Sequence, residues 1–159
     1  MEKLVVIGID PGSYSAGIAA VEEDGELRFS RTVKSLQNPN WSDLDLAEYM
    51  CSFMLDIDEV IEEYAPYLMV VELTSVPTNM HTNKLLAYFE AAALISAGMY
   101  KVNVKRMRTS EARKLGLGNG KLKKHEAIMK IRKRYGMNIP EDEAEAIVFA
   151  LAGVNSLLQ

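Results

Sequence analysis

Cysteine is almost absent from this chain: among 159 residues, only Cys51 carries a thiol. One cysteine excludes an internal disulfide framework and a cysteine-rich zinc site, and it favours a reducing cytoplasm. Long apolar runs are also missing, because the N-terminal stretch of residues 4–9 is too short for a signal peptide or a membrane span. The length and an apolar content of 48% predict one soluble domain over residues 1–159 with a proper core.

Acidic residues are scarce in one third of the chain. Residues 101–134 contain 13 of the 18 Lys and Arg but only two of the 22 Asp and Glu, so this segment carries a formal charge of +11 and the remainder −15. A basic third on an acidic body indicates a surface for a polyanion; the alternative is an ordinary solvated helix face. The candidate phosphate contacts in this segment are Lys105, Arg106, Arg108, Lys121, Lys123 and Lys124.

The apolar periodicity predicts an α/β fold. Strands are predicted at residues 3–10, 16–22, 26–33, 67–72 and 100–106, with a hairpin turn at residues 23–25. A capping box of Ser42 and Asp45 begins a long helix that ends before Pro66. Further helices are predicted over residues 82–97 (closed by Gly98), 109–115, 121–135 and 141–157, and residues 115–120 are predicted to be a flexible loop. This order predicts a five-stranded mixed sheet.

Four acids lie where a metal-dependent nuclease would need them. Asp10 and Glu72 each end an apolar strand, and ligand sites of open α/β sheets lie at the carboxyl ends of strands. Asp142 and Glu145 are three residues apart and therefore share one face of the last helix. Two divalent cations about 4 Å apart, held by such acids, can clamp the attacking and leaving oxygens of a phosphodiester. The four acids are thus candidate catalytic and metal-binding residues.

Each of these acids also has a purely structural alternative. Asp10 can cap the amides of the following turn, Glu72 can reach solvent from a strand end, and acids favour the first turn of any helix because they complement its dipole. His81 and His125 are more typical of surface residues than of metal ligands. The glycine-rich stretch 116–120 is no Walker A motif, because Leu122 follows Gly120 and Lys121.

The ordered set of motifs resembles the RuvC-type Holliday-junction resolvases, a nuclease family with an RNase H-like fold. Residues 8–13 and Gly17 are similar to that family's D-P-G-S-x-x-x-G signature; Glu72 resembles its second acid, with Asn79 seven residues later. The pattern Gly118-x-Gly120-x-x-x-Lys124 resembles its glycine-to-lysine stretch, and Asp142-x-x-Glu145-Ala146 its closing D-x-x-D-A, with Glu in place of the last Asp.

The resemblance implies a five-stranded sheet with helices on both faces and a homodimeric endonuclease that uses Mg²⁺, with Mn²⁺ as a substitute. It implies that Asp10, Glu72, Asp142 and Glu145 hold the metal ions and that Lys124 contacts phosphate. The partner would be branched DNA, above all four-way junctions, with no membrane and no organic cofactor. The helix around residues 91–93 is the predicted dimer contact.

Some positions depart from the family's pattern. Ser75 stands where the family often has an aromatic residue, and residues 86–90 replace a start of the following helix that contains Gln or Arg. These departures resemble the compact bacteriophage versions, for which the compartment would be the host cytoplasm. Three rival functions stay open: an RNase H-like nuclease acting on RNA, a junction-binding module without catalysis, and an actin-like ATPase, for which the chain is short.

Overall fold

The computed structural model describes residues 2–12, 14–34, 42–74 and 80–159, and the side chains of residues 80–83 are not part of that description. Five strands form one mixed sheet in the order β3-β2-β1-β4-β5. They are β1 (Val5–Asp10), β2 (Ser15–Glu22), β3 (Leu27–Lys34), β4 (Leu68–Glu72) and β5 (Asn103–Met107). The first three strands form an antiparallel meander, whereas β4 runs parallel to β1 and β5 parallel to β4.

Helices cover both faces of this sheet, as the sequence predicts. On one face α1 (Asp43–Tyr64) and α2 (Met80–Tyr100) bury a core that includes Phe53, Ile57 and Phe89. On the other face α3 (Thr109–Leu117), α4 (Lys124–Tyr135) and α5 (Glu141–Leu157) pack around a second core that includes Met107, Ile131 and Phe149. Alternation of side chains along the strands explains the two cores, because successive residues point to opposite faces.

The predicted capping box begins α1. The Ser42 hydroxyl accepts a hydrogen bond from the Asp45 amide at 3.1 Å, and the Asp45 carboxylate accepts one from the Ser42 amide at 3.0 Å. These two bonds satisfy amides that would otherwise lack partners in the first turn of the helix. The helix ends where Ala65 takes the left-handed conformation ahead of Pro66, which is the boundary that the sequence predicts.

Close contact between α5 and the sheet depends on two glycines. A methyl group added to Gly8 would overlap the Ala146 carbonyl oxygen, and one added to Gly17 would overlap the Asp142 carbonyl oxygen. Gly17 pairs with Asp10 across β1 and β2. The missing side chain at position 17 therefore lets the N-terminus of α5 lie directly over the end of β1, and this is what brings Asp142 towards Asp10.

Two predicted helix ends are wrong, and two elements begin later than predicted: β5 at Asn103 instead of residue 100, and α4 at Lys124 instead of residue 121. Helix α2 does not close at Gly98 but continues to Tyr100, because its C-terminal turn is made by Lys101, which adopts a positive φ of 57°. Residues 115–117 are not loop but the last turn of α3, and Gly118 in the left-handed conformation ends that helix. In both cases the helix passes through a glycine that a local pattern marks as its end.

Candidate active site

Asp10 and Glu72 lie side by side at the carboxyl ends of adjacent parallel strands. The register pairs Ile9 with Val71, so the next residue on each strand is one of the two acids. The two carboxyl groups are close enough that Glu72 raises the pKa of Asp10. The Thr109 hydroxyl at the start of α3 donates a hydrogen bond to Oε1 of Glu72, at 2.8 Å, which fixes the direction of that carboxylate.

Helix α5 presents Asp142 and Glu145 to the same place. Asp142 accepts a hydrogen bond from the Ser15 hydroxyl at 2.6 Å, and Glu145 forms an ion pair with Arg113 of α3 at 3.0 Å. The neighbouring acids of the helix point elsewhere: Glu143 accepts hydrogen bonds from Ser30 and Thr32 of β3, and Glu141 lies near Lys124. The i, i+3 spacing thus places the two predicted acids on the inward face of α5.

The other three acids lie close enough to Asp10 to raise its pKa. Burial raises the pKa of Asp10 well above its usual range, and the neighbouring Glu72 carboxyl and the charges of Glu145 and Asp142 raise it further. Burial also raises the pKa of Glu145, although Arg113 and Lys124 partly oppose that shift. Four carboxylates held together at the edge of a core create a local excess of negative charge, which a cation would relieve.

The donor set fits a divalent cation but does not form one closed cage. Carboxylate oxygens are the ligands that Mg²⁺ prefers. In one octahedral Mg²⁺ site with ligands at about 2.1 Å, two oxygens are at most about 4.2 Å apart. Within the described residues, three acids with oxygens within 4.8 Å of one another occur at Glu22, Asp24 and Glu26, not among these four. The four acids are therefore spread more widely than the ligands of one compact site.

The compact trio at Glu22, Asp24 and Glu26 already has a cation of its own. The Lys3 ammonium lies 2.8 Å from Glu22, 2.7 Å from Asp24 and 3.5 Å from Glu26. The trio sits at the opposite end of β2, about 17 Å along the strand from Gly17 at 3.3 Å per residue. It is a structural ion-pair network that joins the N-terminus to the hairpin.

Sequence reasoning missed the residues that hold three of the four acids. Ser15, Thr109 and Arg113 each bond one carboxylate, and the Tyr49 hydroxyl donates to the Gly12 carbonyl at 3.0 Å, which ties the turn after Asp10 to α1. None of these residues belongs to a motif with a recognisable spacing. Arg113 lies within the basic segment as one of its 13 basic residues. A count of charges does not reveal that its partner is Glu145.

The basic residues are exposed, and two of them lie next to the acids. All six candidate phosphate contacts are exposed. Arg108 directly precedes Thr109, and Lys124 lies 3.7 Å from Glu141 in the first turn of α5. Residues 118–123 connect α3 to α4, and together with Lys124, the first residue of α4, we call them the lysine loop because they contain Lys121, Lys123 and Lys124.

The two basic residues of β5 point in different directions. Lys105 and Arg106 are consecutive on this edge strand, so their side chains leave opposite faces of the sheet. Arg106 lies on the α2 side, where its guanidinium is 3.7 Å from the buried carboxylate of Glu90. Three residues used in the resemblance, Ser13, Ser75 and Asn79, lie outside the described residues.

Comparison with known proteins agrees with this architecture. A family model described as crossover junction endodeoxyribonuclease RuvC matches residues 6–153. Curated relatives of that name include a protein of Rickettsia bellii, 28% identical over 92% of this chain and 94% of the relative, and one of Protochlamydia amoebophila, 21% identical over 94% and 89%. These two relatives are bacterial, and the bacteriophage affiliation stays a prediction.

Solved structures give the same answer for the fold. The structure of Thermus thermophilus RuvC superposes with a TM-score of 0.80 at 22% identity, covering 98% of this chain and 96% of that one. A second structure of the same protein, in complex with a Holliday junction substrate, gives 0.80 at 20% identity. These likenesses confirm the predicted RNase H-like fold. Since the family model spans almost the whole sequence, the chain belongs to the RuvC family of crossover junction endodeoxyribonucleases.

Proposed function

We propose that this RuvC-family endonuclease resolves four-way DNA junctions by nicking two opposed strands, with Mg²⁺ as its cofactor and Mn²⁺ as a substitute. The convergence of Asp10, Glu72, Asp142 and Glu145 beside exposed basic residues is the observation that supports it most. The wide spread of the four acids suits two ions that keep several water and phosphate ligands, as Mg²⁺ does in nucleic-acid enzymes.

The four acids would hold the metal ions, and the lysine loop would contact the DNA backbone. Asp10, central among the carboxylates, would face both ions; Glu72 would face one of them, and Asp142 with Glu145 the other. Bound ions would supply an activated water and stabilise the leaving oxygen. Thr109 and Ser15 hold Glu72 and Asp142 in place. The candidate phosphate contacts Lys121, Lys123, Lys124 and Arg108 would hold the DNA backbone, with Lys105 and Arg106 further out on β5.

Resolution of a symmetric junction requires two active sites, and we propose a homodimer through α2. The exposed residues of this helix between positions 87 and 99 are all apolar, which is typical of a helix face that is covered by a partner. Its outer face exposes Ala87, Ala91, Ile95 and Met99, which follow one another at intervals of four residues. Of the predicted contact at residues 91–93, only Ala91 is available, because Ala92 and Ala93 are buried in the chain's own core.

The dimer is tested by changing one exposed apolar residue of α2. Ile95 is 51% exposed and Leu55, on the outer face of α1, is 64% exposed. Ile95→Glu should convert the dimer to a monomer in light-scattering chromatography, while the control Leu55→Glu should leave the mass unchanged. A wild-type protein that is monomeric at micromolar concentration would contradict the proposal.

Cleavage of a labelled mobile four-way junction tests the activity. Wild type in Mg²⁺ should give paired symmetric nicks, and Asp10→Asn should bind the junction without nicking it. Tight binding without nicks in Mg²⁺ and in Mn²⁺ would instead support the junction-binding module. A matched RNA junction, cut faster than the DNA junction, would favour the RNA nuclease.

None of the helices in the described part of the chain has the length and apolar character that a membrane span requires.

A further inference from the structure

Arg113 connects one of the four acids to the lysine loop. Its Nη2 lies 3.0 Å from Oε1 of Glu145, and its Nη1 donates to the carbonyl oxygen of Leu122 at 2.9 Å. Both charged side chains are nearly buried, with 13% of Arg113 and 12% of Glu145 exposed. Leu122 lies between Lys121 and Lys123. One guanidinium therefore bonds a carboxylate of the site and the backbone that carries the loop's lysines.

The surrounding packing makes this connection stiff. Gly116 lets α3 lie against α5, because an added methyl group would come within 2.8 Å of the Val148 carbonyl oxygen, and this approach brings Arg113 to Glu145. The loop packs back on α3 in the same way, since a methyl group on Gly120 would lie 2.7 Å from the Ser110 carbonyl oxygen. Asn119 adds a turn by accepting a hydrogen bond from the Lys121 amide at 2.9 Å.

We infer that Arg113 is a positioning residue that couples the carboxylate site to the lysine loop, so that binding of a divalent cation among the acids changes the loop through Glu145, Arg113 and Leu122. The inference rests on the proposed function, because it takes Glu145 as an acid that faces the cation. A cation and the guanidinium compete for the same carboxylate oxygens. The planar fork of arginine bonds two acceptors in fixed directions, so a shift of Glu145 changes the bond to Leu122.

The coupling is reciprocal by thermodynamic necessity. If a bound cation alters the loop, then a phosphate backbone that holds the loop alters the affinity for the cation by the same factor. Arg113 would thereby help to assemble the cation site when DNA is present. A purely structural ion pair predicts a different outcome: its removal would lower the stability of the protein, but the loop would not respond to the cation.

Hydrogen exchange of the full chain without DNA tests the coupling, with Ca²⁺ as the probe. In wild type, Ca²⁺ should change the exchange rates of amides 119–124 by about 5-fold or more, the lower range of typical couplings. Arg113→Lys keeps the charge but loses the fork, and Glu145→Gln keeps the shape but loses the charge. Both variants should lose the response of the loop, while Ca²⁺ still raises the melting temperature of Arg113→Lys.

Each outcome decides one question. If Ca²⁺ stabilises wild type against heat but leaves the loop amides unchanged, the coupling is wrong and the proposed function stands. If both variants retain the wild-type response, Arg113 does not carry it, and the inference also fails. If Ca²⁺ neither stabilises wild type nor changes any amide near the four acids, the proposed cation site itself fails, and the inference with it. Should Arg113→Lys not fold, Glu145→Gln and wild type still give the comparison.

Discussion

Replacing Asp10 with asparagine should stabilise the cation-free protein. Burial, Glu72 and the two acids of α5 raise the pKa of Asp10, so ionising this carboxyl group costs free energy in the folded protein. Asparagine keeps the size, offers an N–H donor to Glu72 and removes the charge. We estimate the gain in unfolding free energy of the variant from the usual penalty for burying a polar group without compensation, about 1–3 kcal/mol. In a protein of this length, that corresponds to a rise in melting temperature of about 2–12 °C.

The pH dependence of this effect has a definite sign. Because the pKa of Asp10 is raised in the folded state, the folded protein binds more protons than the unfolded chain. The stability of wild type relative to Asp10→Asn is therefore highest at low pH. The advantage of the variant should be absent below the pKa of an unfolded aspartate, about 3.9, and should grow as the pH rises through the folded pKa.

Thermal melts in EDTA and in Ca²⁺ measure both parts of this prediction. Wild type should gain about 2.7 kcal/mol when Ca²⁺ is at 100 times its dissociation constant, and Asp10→Asn should gain little. Asp24→Asn is the control, because Lys3 lowers the pKa of that exposed acid and its replacement should not raise the melting temperature. If Asp10→Asn melts below wild type in EDTA at neutral pH, the electrostatic reasoning is refuted; an unchanged response to Ca²⁺ would remove Asp10 from the cation site.

Three further predictions concern the packing, the DNA surface and the support of Glu72. Gly17→Ala should destabilise the protein by about 1–3 kcal/mol and reduce nicking, because α5 must move away from the added methyl group. The control Gly98→Ala, with open space around it in α2, should stabilise the protein by up to about 1 kcal/mol. Thermal melts and junction cleavage distinguish the two variants. Alanine at the three lysines of the lysine loop should flatten the salt dependence of junction binding by about 0.9 in log–log slope per lost phosphate contact, and Lys34→Ala should not. Thr109→Val should weaken cation affinity by about 10- to 100-fold in calorimetry without loss of the fold.

Local features of the sequence were enough for most elements of the fold. The first four strands, the capping box at Ser42 and the helix stop at Pro66 depend on neighbours within a few residues, and their predicted positions are confirmed to within two residues. The glycines at 98 and 116 misled the prediction because each lies inside a helix whose end is fixed elsewhere. Gly116 stays helical in α3, where it packs on α5, and α2 ends only at the positive φ of Lys101.

The sequence by itself determined which acids stand at strand ends and which two share a helix face, because strand and helix periodicities place side chains without knowledge of the rest of the chain. It could not say what each acid bonds. The pairing of Glu145 with Arg113, of Asp142 with Ser15 and of Glu143 with β3 joins residues 32, 127 and more than 100 positions apart. Only the tertiary structure decided these partners, because contacts between distant segments depend on how closely the helices approach the sheet. Here the close approach of α5 is possible because Gly8 and Gly17 have no side chain.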